Sequence, residues 1–189
     1  MKILLGSQSP RRKKLLEQLD IQFKTVTIEC EENYPKAINP RDVAAYLSKK
    51  KSMSYSDLNK DELLITADTV VIIQNEILNK PKDYNEAKEM LEKLSDKTHE
   101  VYTGVTLRSL AKQSTFSVQT YVELNELSDK DINYYISNFH PFDKAGSYGI
   151  QDWIGLSHIS SIKGCYYNVM GLPTSALYKR LKNILGRDV

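Results

Sequence analysis

The sequence predicts a mixed α/β or α+β fold in a single domain over residues 1–189. Three observations predict it. A short strand pattern at the start runs directly into a helix signal. A continuous, β-branched run fills residues 63–73. Amphipathic helical stripes then alternate with strand patterns, and one strand pair lies between helices. A chain of 189 residues with 41% hydrophobic content can bury the core such a fold requires.

Residues 2–5 read as a short buried strand leading into Gly6-Ser-Gln-Ser-Pro10. Ser9 suits a helix cap and Pro10 the first helical position, which opens a helix toward Leu19. Residues 22–28 alternate polar and apolar like a half-exposed strand, and residues 29–39 form a polar loop. Asn39-Pro40 repeats the cap-plus-proline signal and starts a second helix, with Val43, Ala44 and Leu47 facing inward. The unbroken apolar character of residues 63–73 places that strand centrally in the sheet.

Gln74-Asn75-Glu76 predicts a turn into a short partner strand. Asp83-Tyr-Asn-Glu86 matches a capping box, followed by a stripe of Ala87, Met90, Leu91 and Leu94. Residues 100–107 and 115–125 predict two strands joined near Ala111-Lys112. Ser128-Asp-Lys-Asp131 opens a further helix toward Asn138. Residues 156–162 look β-like, Lys163-Gly164 a turn, and a last helix follows Pro173.

Charge and cysteine usage narrow the function classes. The chain holds 26 Lys+Arg against 24 Asp+Glu, a net charge of +2, which argues against a dedicated duplex nucleic acid binder. Cys30 and Cys165 are far apart and form no metal or disulfide pattern. The opening apolar run is too short for a signal peptide, and no run approaches the roughly 20 residues of a membrane helix. A cytoplasmic location without a membrane partner is expected.

Four places carry chemical potential. In Ser7-Gln-Ser-Pro-Arg11-Arg12, a strand passes into a helix N-terminus whose free N–H groups and dipole favour an anion. Two arginines there oppose the dipole, where a structural helix prefers acids, and their forked donors suit phosphate. A solvated basic face is the bland alternative. Asp68 lies inside an apolar strand, where an ionised carboxylate costs several kcal/mol unless paired or bound to a metal. A structural Asp at a bulge or rim is the alternative to a functional one.

Third, Glu31-Glu32, Lys49-Lys50-Lys51 and Asn79-Lys80-Pro81-Lys82 supply cations for a triphosphate and oxygen ligands for a hard cation. Each alone reads as solvated surface. Fourth, residues 143–151 hold two glycines and end at Gln151, whose amide carries both a donor and an acceptor for a base edge. Taken alone, that segment reads as a glycine-bearing turn. Walker A, GxGxxG, HExxH and GxSxG patterns are absent, and His99, His140 and His158 are isolated. Nucleophilic Ser or Cys catalysis is not indicated.

Six blocks then converge: Ser7-Gln-Ser-Pro-Arg-Arg12, Ala67-Asp-Thr-Val-Val71, Asn79-Lys-Pro81, Tyr102-Thr-Gly-Val105, Asp143-Lys-Ala-Gly-Ser-Tyr-Gly-Ile-Gln151 and Tyr166-Tyr-Asn-Val-Met-Gly-Leu-Pro173. Their order resembles the Maf family of nucleoside triphosphate pyrophosphatases, from Leu5 to Pro173. The resemblance implies an α/β fold like that of the inosine triphosphate pyrophosphatases, with a long mixed β-sheet flanked by helices, and a homodimer. It implies hydrolysis of a nucleoside triphosphate to monophosphate and diphosphate, assisted by a divalent cation, Mg²⁺ or Mn²⁺.

By the same resemblance Asp68 is the catalytic proton acceptor and, with Glu32, a metal ligand. Ser7, Arg12, Lys51 and Lys80 fall among the phosphate-handling positions. Arg11, Thr69 and Gln151 match the branch acting on dTTP and UTP. Two departures stand out: Asp152 follows the Gly-Ile-Gln block where the family usually has Gly, and Gln119 replaces an acid in the block often written ETxV. The first bears on the loop over the base, the second on a metal or lysine contact. Competing readings are a housekeeping hydrolase of modified nucleotides and a regulatory, cell-division-linked nucleotide-binding protein.

Overall fold

A computed structural model describes residues 1–186. Its sheet is seven-stranded and mixed. The strands are β1 (Lys2–Leu5), β2 (Phe23–Thr25), β3 (Glu62–Ile73), β4 (Glu76–Leu78), β5 (Thr98–Arg108), β6 (Gln113–Leu124) and β7 (Ile159–Lys163). Their order is β2-β1-β3-β5-β6-β7, with β4 pairing β3 off that path. β1 runs parallel to both β2 and β3, whereas β4 is antiparallel to β3 and β7 to β6. The helices are α1 (Pro10–Gln18), α2 (Val43–Ser54), α3 (Tyr84–Leu94), α4 (Asp129–Phe139), α5 (Trp153–His158), α6 (Tyr166–Met170) and α7 (Thr174–Leu185).

The chain forms two compact units, and β3, β5 and β6 each contribute residues to both. The first unit takes residues 1–68, 103–118 and the segment from Gly171 onward; the second takes residues 69–102 and 119–170. No helix among the described residues is long and apolar enough to cross a membrane.

In the first unit, the N-terminal signals act as their chemistry dictates. The Ser9 side chain caps α1 by accepting from Arg12 N, and Pro10 opens the helix. Asn39 accepts from Arg41 N at 3.0 Å and starts a single 3₁₀ turn, Pro40–Asp42, that continues into α2. The half-exposed strand expected over residues 22–28 shrinks to Phe23–Thr25, because it lies at the outer position beyond β1.

α2 is fixed to its neighbours by a chain of buried hydroxyls. Thr66 Oγ1 on β3 donates to Ser48 O at 2.7 Å, and Ser48 Oγ lies 3.0 Å from Thr106 Oγ1 on β5. Gly104 on β5 makes the approach possible. A Cβ built there would stand 2.3 Å from the backbone of Ala44, which neither element can yield. Gly104→Ala is therefore expected to cost about 3 kcal/mol through overpacking, read as a lowered urea midpoint.

The second unit holds the larger apolar cluster. Val71 and Ile73 of β3 pack with the α3 stripe Ala87, Met90, Leu91 and Leu94 and with Ile132, Tyr135 and Ile136 of α4. Ser128 and Asp131 form a reciprocal capping box at α4. At α3 the box is half-formed: Asp83 accepts from Glu86 N at 2.9 Å, while Glu86 reaches Lys82 N instead. The sequence expectation of a β-like segment over residues 156–162 is corrected. Residues 153–158 are helical, with Gly155 N and Leu156 N both donating to Asp152 O, and β7 begins only at Ile159. Leu156 misleads here because it is 85% exposed, so its apolar side chain marks no inward face.

Candidate active site

Asp68 is the first of the site residues to need an account. It is 7% exposed on β3, so its charge must be met within the fold. The partner is the Lys51 ammonium, which also pairs with Glu32 Oε1 at 2.7 Å. Register brings them together. Thr66 and Asp68 are two apart on one face of β3, and Ser48 and Lys51 are three apart on one face of α2. The Thr66–Ser48 bond therefore sets Lys51 one turn further along, against Asp68.

Glu32 comes from the polar loop, which α2 also holds. Lys50 Nζ donates to Asn33 O at 3.1 Å and to the Asn33 side chain. Adjacent lysines on α2 thus do different work: Lys50 anchors the loop, and Lys51 bridges Glu32 and Asp68. Two carboxylates converging on one cation are a donor set suited to a hard divalent ion, which binds through one or two carboxylates plus water and phosphate oxygens. Among the described residues no group of three or more His, Cys, Asp and Glu could hold a metal by itself.

Arg12 approaches the same carboxylates from α1. Its Nε donates to Gly171 O at 2.8 Å, and Nη1 donates to Ala67 O at 2.8 Å and to Ser7 Oγ at 3.3 Å. Ser7 Oγ also accepts from Ser9 N at 3.2 Å, which tightens the loop before the helix. Burial lowers the Arg12 guanidinium from its ordinary value; the charges of Asp68 and Glu32 oppose that, and Arg11 adds to it. It stays a cation, as arginine does in proteins. No acid stands in the first turn of α1, so Arg11, Arg12 and the helix end present one sign of charge.

The first unit therefore gathers Ser7, Arg12, Glu32, Lys51 and Asp68, with Arg11 half-buried beside Arg12. Thr69, Lys80 and Gln151 belong to the second unit. Thr69 follows Asp68 on β3 and is half-buried. Lys80 is exposed on a segment held by Gly146 N, which donates to Asn79 O at 3.2 Å. Gln151 donates through Nε2 to Asp152 Oδ1 at 3.1 Å.

Both sequence departures have local partners. Gln119 Nε2 donates to Glu100 Oε2 at 2.7 Å, and the Tyr102 hydroxyl donates to the same oxygen at 2.9 Å. An acid at position 119 would face a like charge there, so the amide is matched to Glu100. Asp152 accepts from Gln151 and from the Tyr135 hydroxyl, the latter at 3.0 Å. Sequence reasoning missed Tyr135 and the carbonyls of Ala67 and Gly171. A tyrosine on an apolar helix stripe gives no sign of its partner, and a carbonyl has no sequence signature.

A protein of Flavobacterium psychrophilum named dTTP/UTP pyrophosphatase is 48% identical over 183 residues, covering 96% of this chain and 94% of that protein. One of Phocaeicola vulgatus with the same name is 46% identical over 185 residues, covering 97% and 96%. A solved structure, that of a HAM1 protein from Coxiella burnetii, is similar at a TM-score of 0.43 and 14% identity, over 66% of this chain and 73% of that one. The family model described as Maf-like protein matches residues 2–184, and the chain belongs to the Maf family.

Proposed function

We infer that this protein is a nucleoside triphosphate pyrophosphatase that hydrolyses dTTP and UTP to the monophosphate and diphosphate. The carrying observation is the buried Asp68 carboxylate held against Lys51 and beside Arg12, in a chain 48% identical to a protein named for that activity. A carboxylate can act as general base for water, and the fixed cations around it offset the charge of a polyanion.

In this reading Asp68 accepts the proton of a water molecule as its oxygen attacks the α-phosphorus. The bond from that phosphorus to the α–β bridging oxygen breaks, and its electron pair leaves with diphosphate. Arg11, Arg12, Lys51 and the Ser7 hydroxyl bind phosphate oxygens and meet the charge that moves onto the leaving group. Arg12 is suited to this because two carbonyls already fix its plane, so little side-chain freedom is lost on binding. The family resemblance assigns Lys80 to phosphate and Thr69 and Gln151 to the nucleoside. Glu32 and Asp68 would hold a Mg²⁺ or Mn²⁺ ion, which supplies charge neutralisation and polarisation of the phosphates when bound.

The reading extends to one functional domain over residues 1–189, supported by the absence of any linker in the sequence, to a homodimer, supported by the family resemblance, and to the cytoplasm, supported by the cysteine usage. Its test is diphosphate release from dTTP, UTP, CTP, GTP and modified nucleotides with Mg²⁺ or Mn²⁺. Turnover of dTTP and UTP at least about tenfold above GTP, with monophosphate as the second product, is the expected outcome. Preference for modified nucleotides, or release of orthophosphate alone, would overturn it.

A further inference from the structure

We propose that Asp152 is a positioning residue that makes the Gln151 side chain present only a hydrogen-bond acceptor to the nucleobase, favouring pyrimidines that carry N3–H over cytosine. The inference rests on the activity proposed above and concerns how the base is chosen.

An ionised carboxylate can only accept, so every polar neighbour must offer Asp152 a proton. The Tyr135 hydroxyl donates to Oδ2 at 3.0 Å, and the Lys144 ammonium lies 3.7 Å from the same oxygen. Gly149 N donates to Tyr135 Oη at 3.0 Å. A backbone N–H has no other role, so the phenol must spend its own proton on Asp152. Burial and the Asp152 charge raise the Tyr135 phenol from its ordinary value, so it remains a donor at neutral pH. Asp152 is thereby held from one side, with Oδ1 turned to Gln151.

The amide of Gln151 then has one permitted orientation. Nε2 donates to Asp152 Oδ1 at 3.1 Å. The flipped amide would set Oε1 against the carboxylate, acceptor against acceptor. With Nε2 engaged, Oε1 is the atom left for a ligand, and it is buried without a hydrogen-bond partner. A buried acceptor left unmatched is unfavourable, so a donor that reaches it is favoured by that deficit. Position 149 must be small for this arrangement: a Cβ there would lie 2.4 Å from Asp152 Oδ2 and 2.8 Å from Gln151 Nε2.

Uracil and thymine carry N3–H, a donor, whereas cytosine presents a bare N3 acceptor. An amide locked with oxygen outward pairs with the former and opposes the latter. Without Asp152 the amide can turn, and discrimination at N3 is lost.

The experiment compares kcat/KM for UTP, dTTP and CTP in the wild-type chain, Asp152→Ala and Asp152→Asn, each with Mg²⁺. Asp152→Ala is expected to reduce the UTP-to-CTP ratio about tenfold, through a fall with UTP and a rise with CTP. Asp152→Asn keeps the size but offers both a donor and an acceptor, so the ratio falls less; it also serves if the Ala variant does not fold. A merely structural role would lower all three substrates together. An unchanged ratio in the folded variants, or an equal loss on all three, overturns the positioning role. A wild-type chain that releases no diphosphate from UTP or dTTP instead overturns the activity on which it rests.

Discussion

Asp68→Asn is expected to reduce diphosphate release from dTTP by about a thousandfold while nucleotide binding is largely retained. The substitution keeps size and shape, and the Asn oxygen can still accept from Lys51, so the buried pocket remains hydrogen-bonded. What disappears is the ability to take a proton and the negative charge offered to a cation. Arg12 keeps its bonds to Ala67 O and Gly171 O, which are backbone groups and do not depend on the side chain at position 68. Binding is read by titration of dTTP in calorimetry and turnover by diphosphate detection. Full turnover in the variant would remove Asp68 from the reaction, and loss of binding equal to the loss of turnover would make it a binding residue only.

The sequence made the elements near Asp68 visible for definite reasons. Ser9-Pro10 and Asn39-Pro40 announce helix starts because the cap chemistry is local. Residues 63–73 announce a buried strand because both of its faces are covered. Asp68 is conspicuous because a charge in such a strand violates the pattern. Its partner is harder to see: Lys51 is one of three consecutive lysines, and only the helical register against Thr66 distinguishes it from Lys50. The α5 turn is hidden in the sequence because Leu156 and Ile162 are apolar yet exposed, so neither marks a buried face. Asp152 could be noticed as unusual, but its meaning depends on Tyr135, 17 residues earlier, whose hydroxyl reaches it only after α4 has packed.

Lys51→Met is expected to destabilise the first unit by about 3 kcal/mol, because it leaves the Asp68 carboxylate buried without the cation that meets it. The two side chains of that pair are 14% and 10% exposed, so water compensates little. The second contact, to Glu32, adds little to this figure because the Glu32 side chain is 48% exposed and solvent screens it. Met fills much of the space of the lysine stem, which isolates the loss of charge from the loss of packing. The double variant Lys51→Met/Asp68→Asn then separates two explanations. If the cost is an unmatched charge, neutralising Asp68 recovers most of it, a coupling of about 2 kcal/mol in a double-mutant cycle read by urea denaturation. If Lys51 serves only to cover the strand, the double variant is as unstable as the sum of the single ones. Either variant loses diphosphate release, so stability and not activity decides between the two.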